Sequence, residues 1–429
     1  MRAVIAPILL GTAIILGLAP SVLAAAEDHS YLTAVVETLA SPVMDGRRTG
    51  TAGHRAAAGF IAGELQRWGL FPLGSVSPGD RPSSYYHYFL IPAPNGEDSD
   101  KEIVARNIAA WLPGTESADP ADGCFILCAH YDHLGSDTGE DGVPRYYAGA
   151  NDNASGVAVV LDLARRCGLQ EQQPPYPVVF VLFDAEELGL LGSYEFTKKP
   201  PVPLDNALAV NLDMVGELND QQLLVAYSAA LPDEHPGTLF TKLKDIASAA
   251  GLDIEHMRQG WEASDQFEFY QQQVPFVFLF GGATADYERL TDTADRLDYS
   301  GLERIADFTY GLLLGLGSPA DYEWVNLGER ERPTGGKRGF LGIIPDFSTD
   351  TDDGVAISGT VPGSPAEKAG LLEGDILIEI DRRPVHDLQA LAGILRDLKP
   401  GDVVNIVYLR GGAERRTTAR ISAKNDEEP

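Results

Sequence analysis

Four apolar runs of strand length, each leading into ionisable residues, constrain this chain more than any other feature. CFILCA (124–129) leads to His130 and Asp132, and PVVFVLF (177–183) leads to Glu186 and Glu187. ALAVNL (207–212) stops at Asp213, and VPFVFLF (274–280) is followed by Tyr287 and Glu288. Uninterrupted apolar strands are those buried on both faces, and helical patterns separate them. They predict an α/β fold whose mostly parallel sheet is covered by helices on both sides. Ligands of such sheets collect beyond the carboxyl ends of the strands. Residues 28–70 read as helical with a turn at SPVMDGRRTGTAGH, the second helix ending at Gly69.

One acidic residue after a strand is ordinary loop chemistry. Four strand ends sharing one sheet edge would crowd their carboxylates, and a divalent cation relieves that repulsion. The segment GANDNASGVAVVLDLARR adds Asp152 at the start of a helix that Asn153 or Ser155 can cap. His130, Asp152, Glu187, Asp213 and Glu288 suffice for two metal ions with one shared carboxylate, an arrangement that activates a water and polarises a carbonyl. Glu186, beside a ligand, is left to move a proton as general base.

The series AHYDHLG, GANDNASG, FDAEELGLLGS, NLDMVG and DYERLTDTADRLD, with MDGRRTGTAGHRAA upstream, resembles the di-zinc M28 metallopeptidases over roughly residues 30–316. The resemblance implies an aminopeptidase that acts on peptides with two Zn2+ ions. His130 and Asp213 would hold one ion, Glu187 and residue 288 the other, with Asp152 between them. It also implies Glu186 as base, Asp132 as the carboxylate orienting His130, and Tyr287 as a donor to the tetrahedral intermediate. The family pattern at 287–288 is Tyr-His, whereas this chain has Tyr287-Glu288; the upstream triplet is Ser264-Asp265-Gln266. A second site of Asp152, Glu187 and Glu288 is all oxygen and tilts toward harder metals such as Mn2+. His133 is read as structural or supporting, and Asp292 as a cap or supporting group. The family also admits carboxypeptidase and glutaminyl cyclase chemistry.

From about 317 to 337 the composition becomes polar and reads as a linker, and a second pattern runs over 338–422. RGFLGIIPDF, SPAEKAGLLEGDILIEI and a helix with Leu388, Leu391, Ile394, Leu395 and Leu398 on one face resemble a small β-rich PDZ domain. That resemblance implies that Gly339, Phe340, Leu341 and Gly342 receive the carboxylate of a peptide or protein C-terminus, the peptide adding as a strand. If the metal site is degenerate, peptide docking is the alternative function.

The first residues carry Arg2, an apolar stretch broken by Pro7, and SVLAAAED, which reads as a signal peptide over 1–26. The catalytic region is then 27–316, working in the periplasm or secreted, with no stable membrane anchor after cleavage. The whole chain's net charge of −30 argues against nucleic acid as a partner. Cys124 and Cys128 lie roughly 13 Å apart on one strand, too far to bridge, and Cys167 ends a helix; all three read as small core residues.

Overall fold

Alternation within each apolar run decides which side chain enters which layer. The computed structural model describes residues 30–74, 84–92, 102–138, 142–169, 172–218, 222–232, 236–330, 339–347, 349, 351 and 354–422. The expected signal peptide lies outside them, as do residues 331–338. The central sheet uses β1 (Phe71–Pro72), β2 (Tyr86–Pro92), β3 (Glu102–Leu112), β4 (Cys124–His130), β5 (Val178–Phe183), β6 (Ala207–Asp213), β7 (Leu223–Tyr227), β8 (Ile254–His256) and β9 (Phe276–Phe280). Their order is β1-β3-β5-β4-β6-β9-β7-β8, with β2 against β3. The middle strands β5, β4, β6 and β9 run parallel, while β3 and β7 pair antiparallel with them.

Phe125, Leu127 and Ala129 of β4 enter one core, and Cys124, Ile126 and Cys128 enter the other. The first core is covered by α1 (Tyr31–Leu39), α2 (Ala52–Arg67), α3 (Gly156–Gly168), α5 (Pro236–Ala249) and α7 (Tyr299–Gly315). The second is covered by α4 (Leu191–Lys198) and α6 (Gln266–Gln271), through Phe196, Phe267 and Phe269. This is the layered α/β architecture expected of two-face burial. The three cysteines are free and buried.

Part of the segment read as linker is fixed to this body. Glu323–Trp324 pair with Ala229–Ala230, and Tyr270 packs on Trp324 while its hydroxyl donates to Gly328 O. Buried Tyr322 and the partly buried Trp324 give this polar stretch apolar anchors.

The C-terminal region has its own core and an antiparallel sheet of β10 (Ile343–Pro345), β11 (Val355–Thr360), β12 (Ile376–Ile380), β13 (Val403–Arg410) and β14 (Ala413–Arg420). The short helix α8 (Pro365–Lys368) precedes α9 (Leu388–Asp397), whose Leu391 and Ile394 are buried in that core. Phe347, just past β10, crosses to the catalytic body and meets Phe280 edge-on at 5.2 Å.

The loops at the sheet edge converge on Arg47, which has no exposed surface. Its Nε donates to Tyr131 O at 2.9 Å, Nη1 to Leu39 O and Ala148 O, and Nη2 to Gly149 O and Asp152 O. Burial lowers its pKa to about 10, so the guanidinium stays charged at neutral pH. One side chain thereby ties the loop after β4 to the loop before α3.

Removing residues 333–429 is expected to leave the catalytic body folded, since each region has a separate core. Loss of a cooperative thermal transition in the truncated chain would show that the two cores are interdependent. Arg47→Leu strands several buried carbonyls without donors and is expected to cost at least about 3 kcal/mol in urea unfolding. A loss below about 1 kcal/mol would mean that the loops hold their places without it.

Candidate metal centre

Parallel register brings the strand ends together. His130 is level with Phe183, the last residue of β5, and Asp213 is level with Phe280 of β9. Asp152 arrives from the loop that opens α3, where Asn153 Oδ1 caps the helix by accepting from Gly156 N at 3.0 Å. That loop is laced to the end of β6: Asn153 Nδ2 donates to Leu212 O, Gly216 N to Asn151 Oδ1, and Val215 N to Ser155 Oγ.

The result is two groups of ligand-type atoms, each within 4.8 Å of one another. In the first, His130 Nε2 lies 3.3 Å from both Asp152 Oδ1 and Asp213 Oδ1. In the second, His133 Nδ1 lies 2.8 Å from Glu187 Oε1 and 3.9 Å from Asp152 Oδ2. Asp152 therefore turns one oxygen toward each imidazole. Burial pushes His133 down to about 4, which keeps the ring neutral with a lone pair to give. Burial works against ionised Asp152, but the hydrogen bond from His130 and the neighbouring His133 and Arg47 hold it at about 2.

Supporting groups are carboxylates aimed at backbone N–H. Asp132 accepts from Glu186 N at 3.0 Å and Glu187 N at 3.4 Å, fixing the turn after β5. Its Oδ1 is 3.8 Å from His130 Nδ1, while its own carbonyl oxygen is nearer, at 3.3 Å. Asp292 accepts from Asn151 N at 2.7 Å and Asp152 N at 3.0 Å, and burial pushes it up to about 6. Gln266, at the altered triplet, accepts from Asn211 Nδ2 at 2.6 Å and so anchors β6 from below.

Glu186 stands half-buried beside this cluster. Burial, with Glu187 and Asp213 adding to it and His130 opposing, raises its carboxyl well above the usual range. Tyr287 is 37% exposed on the rim. Glu288 follows it at a left-handed φ of +55° and belongs to neither ligand group. The imidazole of the second group is that of His133, a residue whose sequence context reads as structural or supporting. The signal available for it was spacing: in HYDH, the turn after β4 returns the chain to the same edge three residues after His130.

Fit to metal can be judged from the donors themselves. Asp132, Asp152, Asp184, Asp213, Asp265 and Asp292 are buried near one another, with Arg47 the buried guanidinium among the described residues. Burial, with Asp213 and Glu268 adding to it and His130 and Ser193 opposing, pushes Asp265 up to about 7. One imidazole and two carboxylate oxygens per group suit a divalent ion that accepts nitrogen and oxygen.

Known proteins share this organisation. The model of peptidase family M28 matches residues 107–313, and a PDZ-domain model matches residues 339–421. The chain is 25% identical over 263 residues to leupeptin-inactivating enzyme 1 of Streptomyces exfoliatus, covering 61% of this chain and 50% of that protein. It thus spans half the length of that relative. A leucine aminopeptidase precursor from Bacteroides thetaiotaomicron VPI-5482 superposes with a TM-score of 0.50 at 21% identity, covering 66% of this chain and 96% of that one. Porphyromonas gingivalis glutaminyl cyclase gives 0.51 at 20% identity, with 65% and 95% covered. At such identities these structures share the fold, and the family models carry the classification. With a sheet-edge cluster of the required donors and a separate antiparallel C-terminal region, the chain belongs to peptidase family M28 through residues 107–313 and carries a PDZ domain in residues 339–421.

Proposed function

We propose that the chain is an exported two-zinc exopeptidase that removes residues from peptide N-termini. The observation that carries this reading is Asp152, whose two oxygens face two different imidazoles, each accompanied by a further carboxylate. His130 and Asp213 would hold one ion, His133 and Glu187 the other, with Asp152 offering an oxygen to each group. With His133 included, each group contains nitrogen, which favours zinc over harder metals.

When bound, such ions supply Lewis acidity, polarising a carbonyl and acidifying a water. The chain's own residues do the rest. Glu186 is held at the cluster by the turn that Asp132 pins, so its carboxylate can accept a proton from water and pass it to a leaving amine. Divalent charge bound nearby would favour the carboxylate form of Glu186 against the burial that raises its pKa. Tyr287, at the rim, is the candidate donor to the developing oxyanion. Export is supported by the leader-like first residues, and among the described residues no helix is long and apolar enough to cross a membrane. The PDZ domain is assigned to peptide or protein C-termini.

Glu186→Gln keeps every assigned ligand and is expected to retain the parental zinc content while lowering turnover of aminoacyl-nitroanilides by about 10²–10⁴-fold. Turnover within a few-fold of the parent would remove Glu186 from the mechanism.

Zinc content separates His133 from Glu288. The parent is expected to hold two ions per chain, Glu288→Ala two, and His133→Ala one. Two ions in His133→Ala with one in Glu288→Ala would return the second site to Glu288.

A further inference from the structure

The loop that carries Tyr287 and Glu288 also touches the PDZ domain. The guanidinium of Arg289 lies over the ring of Phe340, 5.3 Å from its centroid. Nε and Nη2 of Arg289 are shielded from solvent and find no hydrogen-bond partner among the described residues. A shielded cationic edge without an acceptor is costly unless an anion completes it.

The segment beside it is built to receive an anion. Gly339 N donates to Leu395 O and Phe340 N to Ser422 O, whereas the N–H groups of Leu341 and Gly342 make no hydrogen bond among the described residues. Gly342 is at φ +78°, and a Cβ there would come within 2.2 Å of Ser364 Cβ. The turn therefore requires glycine, and two successive N–H groups, those of Leu341 and Gly342, are without a partner there among the described residues.

The placement of Arg289 against this turn is held from two more points. Arg258 N donates to Phe347 O at 3.0 Å, and Gln259 Nε2 to Thr349 O at 3.2 Å. Gly260, at φ +74°, passes so close to Phe347 and Leu388 that a Cβ would lie 2.9 and 3.0 Å from them. The catalytic body thus meets the C-terminal region at Phe347 and Leu388 as well as at Phe340.

We infer that Arg289 of the catalytic domain forms part of the PDZ carboxylate site, so that the free α-carboxylate of a peptide C-terminus is held between the Leu341 and Gly342 N–H groups and the Arg289 guanidinium. The inference rests on the reading that the PDZ domain binds C-termini. The ligand is a peptide tail with a free acid, and its recognition spans both domains.

The test uses the full chain and two probes: a fluorescein-capped pool of randomised hexapeptides with free-acid C-termini, and the same pool amidated. The cap blocks the N-terminal amine and so prevents aminopeptidase cleavage. Anisotropy titration of the parent is expected to favour the acid pool. Arg289→Ala is expected to weaken acid binding by about 10-fold to 100-fold, the range for a charge-assisted hydrogen bond, and to leave amide binding unchanged. Arg289→Lys, which keeps the charge without the fork, should recover part of the loss. Parental acid binding in Arg289→Ala, with the parent still preferring acid over amide, overturns the role of Arg289 alone. A parent that binds both pools equally, or neither, overturns the C-terminus reading and Arg289 with it. Unchanged thermal unfolding of both variants ties any loss to the site.

Discussion

The organisation of the site depends on one buried guanidinium. Arg47 reaches carbonyls of residues 39, 131, 148, 149 and 152, and these belong to α1, the loop after β4 and the loop before α3. Those two loops carry His133 and Asp152, members of the second ligand group. A planar fork with five N–H donors can meet several carbonyls at once, which an ammonium on a flexible stem cannot do. Arg47 is also a positive charge buried among carboxylates, with Asp292, Asp152, Asp132 and Glu187 all favouring its protonated form. It therefore does two things, setting loop geometry and offsetting part of the cluster's negative charge.

Around that charge the chain repeatedly uses carboxylates to fix backbone rather than to bind ions. Asp132 holds the N–H groups of Glu186 and Glu187, and Asp292 those of Asn151 and Asp152. Asp184 accepts from Thr49 Oγ1 and from Arg106 N. A carboxylate that accepts backbone N–H is stabilised in its charged form and lends negative potential to the site without occupying a coordination position. This separates two roles that share one residue type. Asp152, Asp213 and Glu187 face the imidazoles of His130 and His133, while Asp132, Asp184 and Asp292 each accept from peptide N–H groups, Asp184 also lying 2.8 Å from His54 Nε2.

That division explains what could be read from the sequence. The α/β sheet was legible because strands buried on both faces are uniformly apolar, and the edge at which His130 and Asp213 lie followed from their ending β4 and β6. Glu187 was legible for a similar reason, since it stands four residues beyond the end of β5. His133 was harder to place, because its approach to Glu187 depends on the return of the HYDH turn, and that turn is set by Arg47 from 84 residues upstream of Tyr131. Glu288 was placed by analogy with a family position, and the left-handed backbone it adopts after Tyr287 carries no signature in its residue type. The docking of residues 323–328 was also hidden, since Tyr322 and Trp324 are isolated anchors in an otherwise polar stretch.

The PDZ domain is joined to the catalytic body through side-chain packing and a backbone hydrogen bond from Arg258 N to Phe347 O, rather than through a shared sheet. Phe280 ends β9 on the face of the second core, and Phe347 extends that core across the boundary. An aromatic edge on an aromatic face gains both area and quadrupole attraction from a small contact. Because Phe280 is level with Asp213, this contact lies at the same sheet edge as the ligand groups, not at the opposite end. Gly260 is what lets the two backbones approach there, since any side chain at that position would meet both Phe347 and Leu388. The same parallel register that gathers the ligands thus also sets where the second domain can dock.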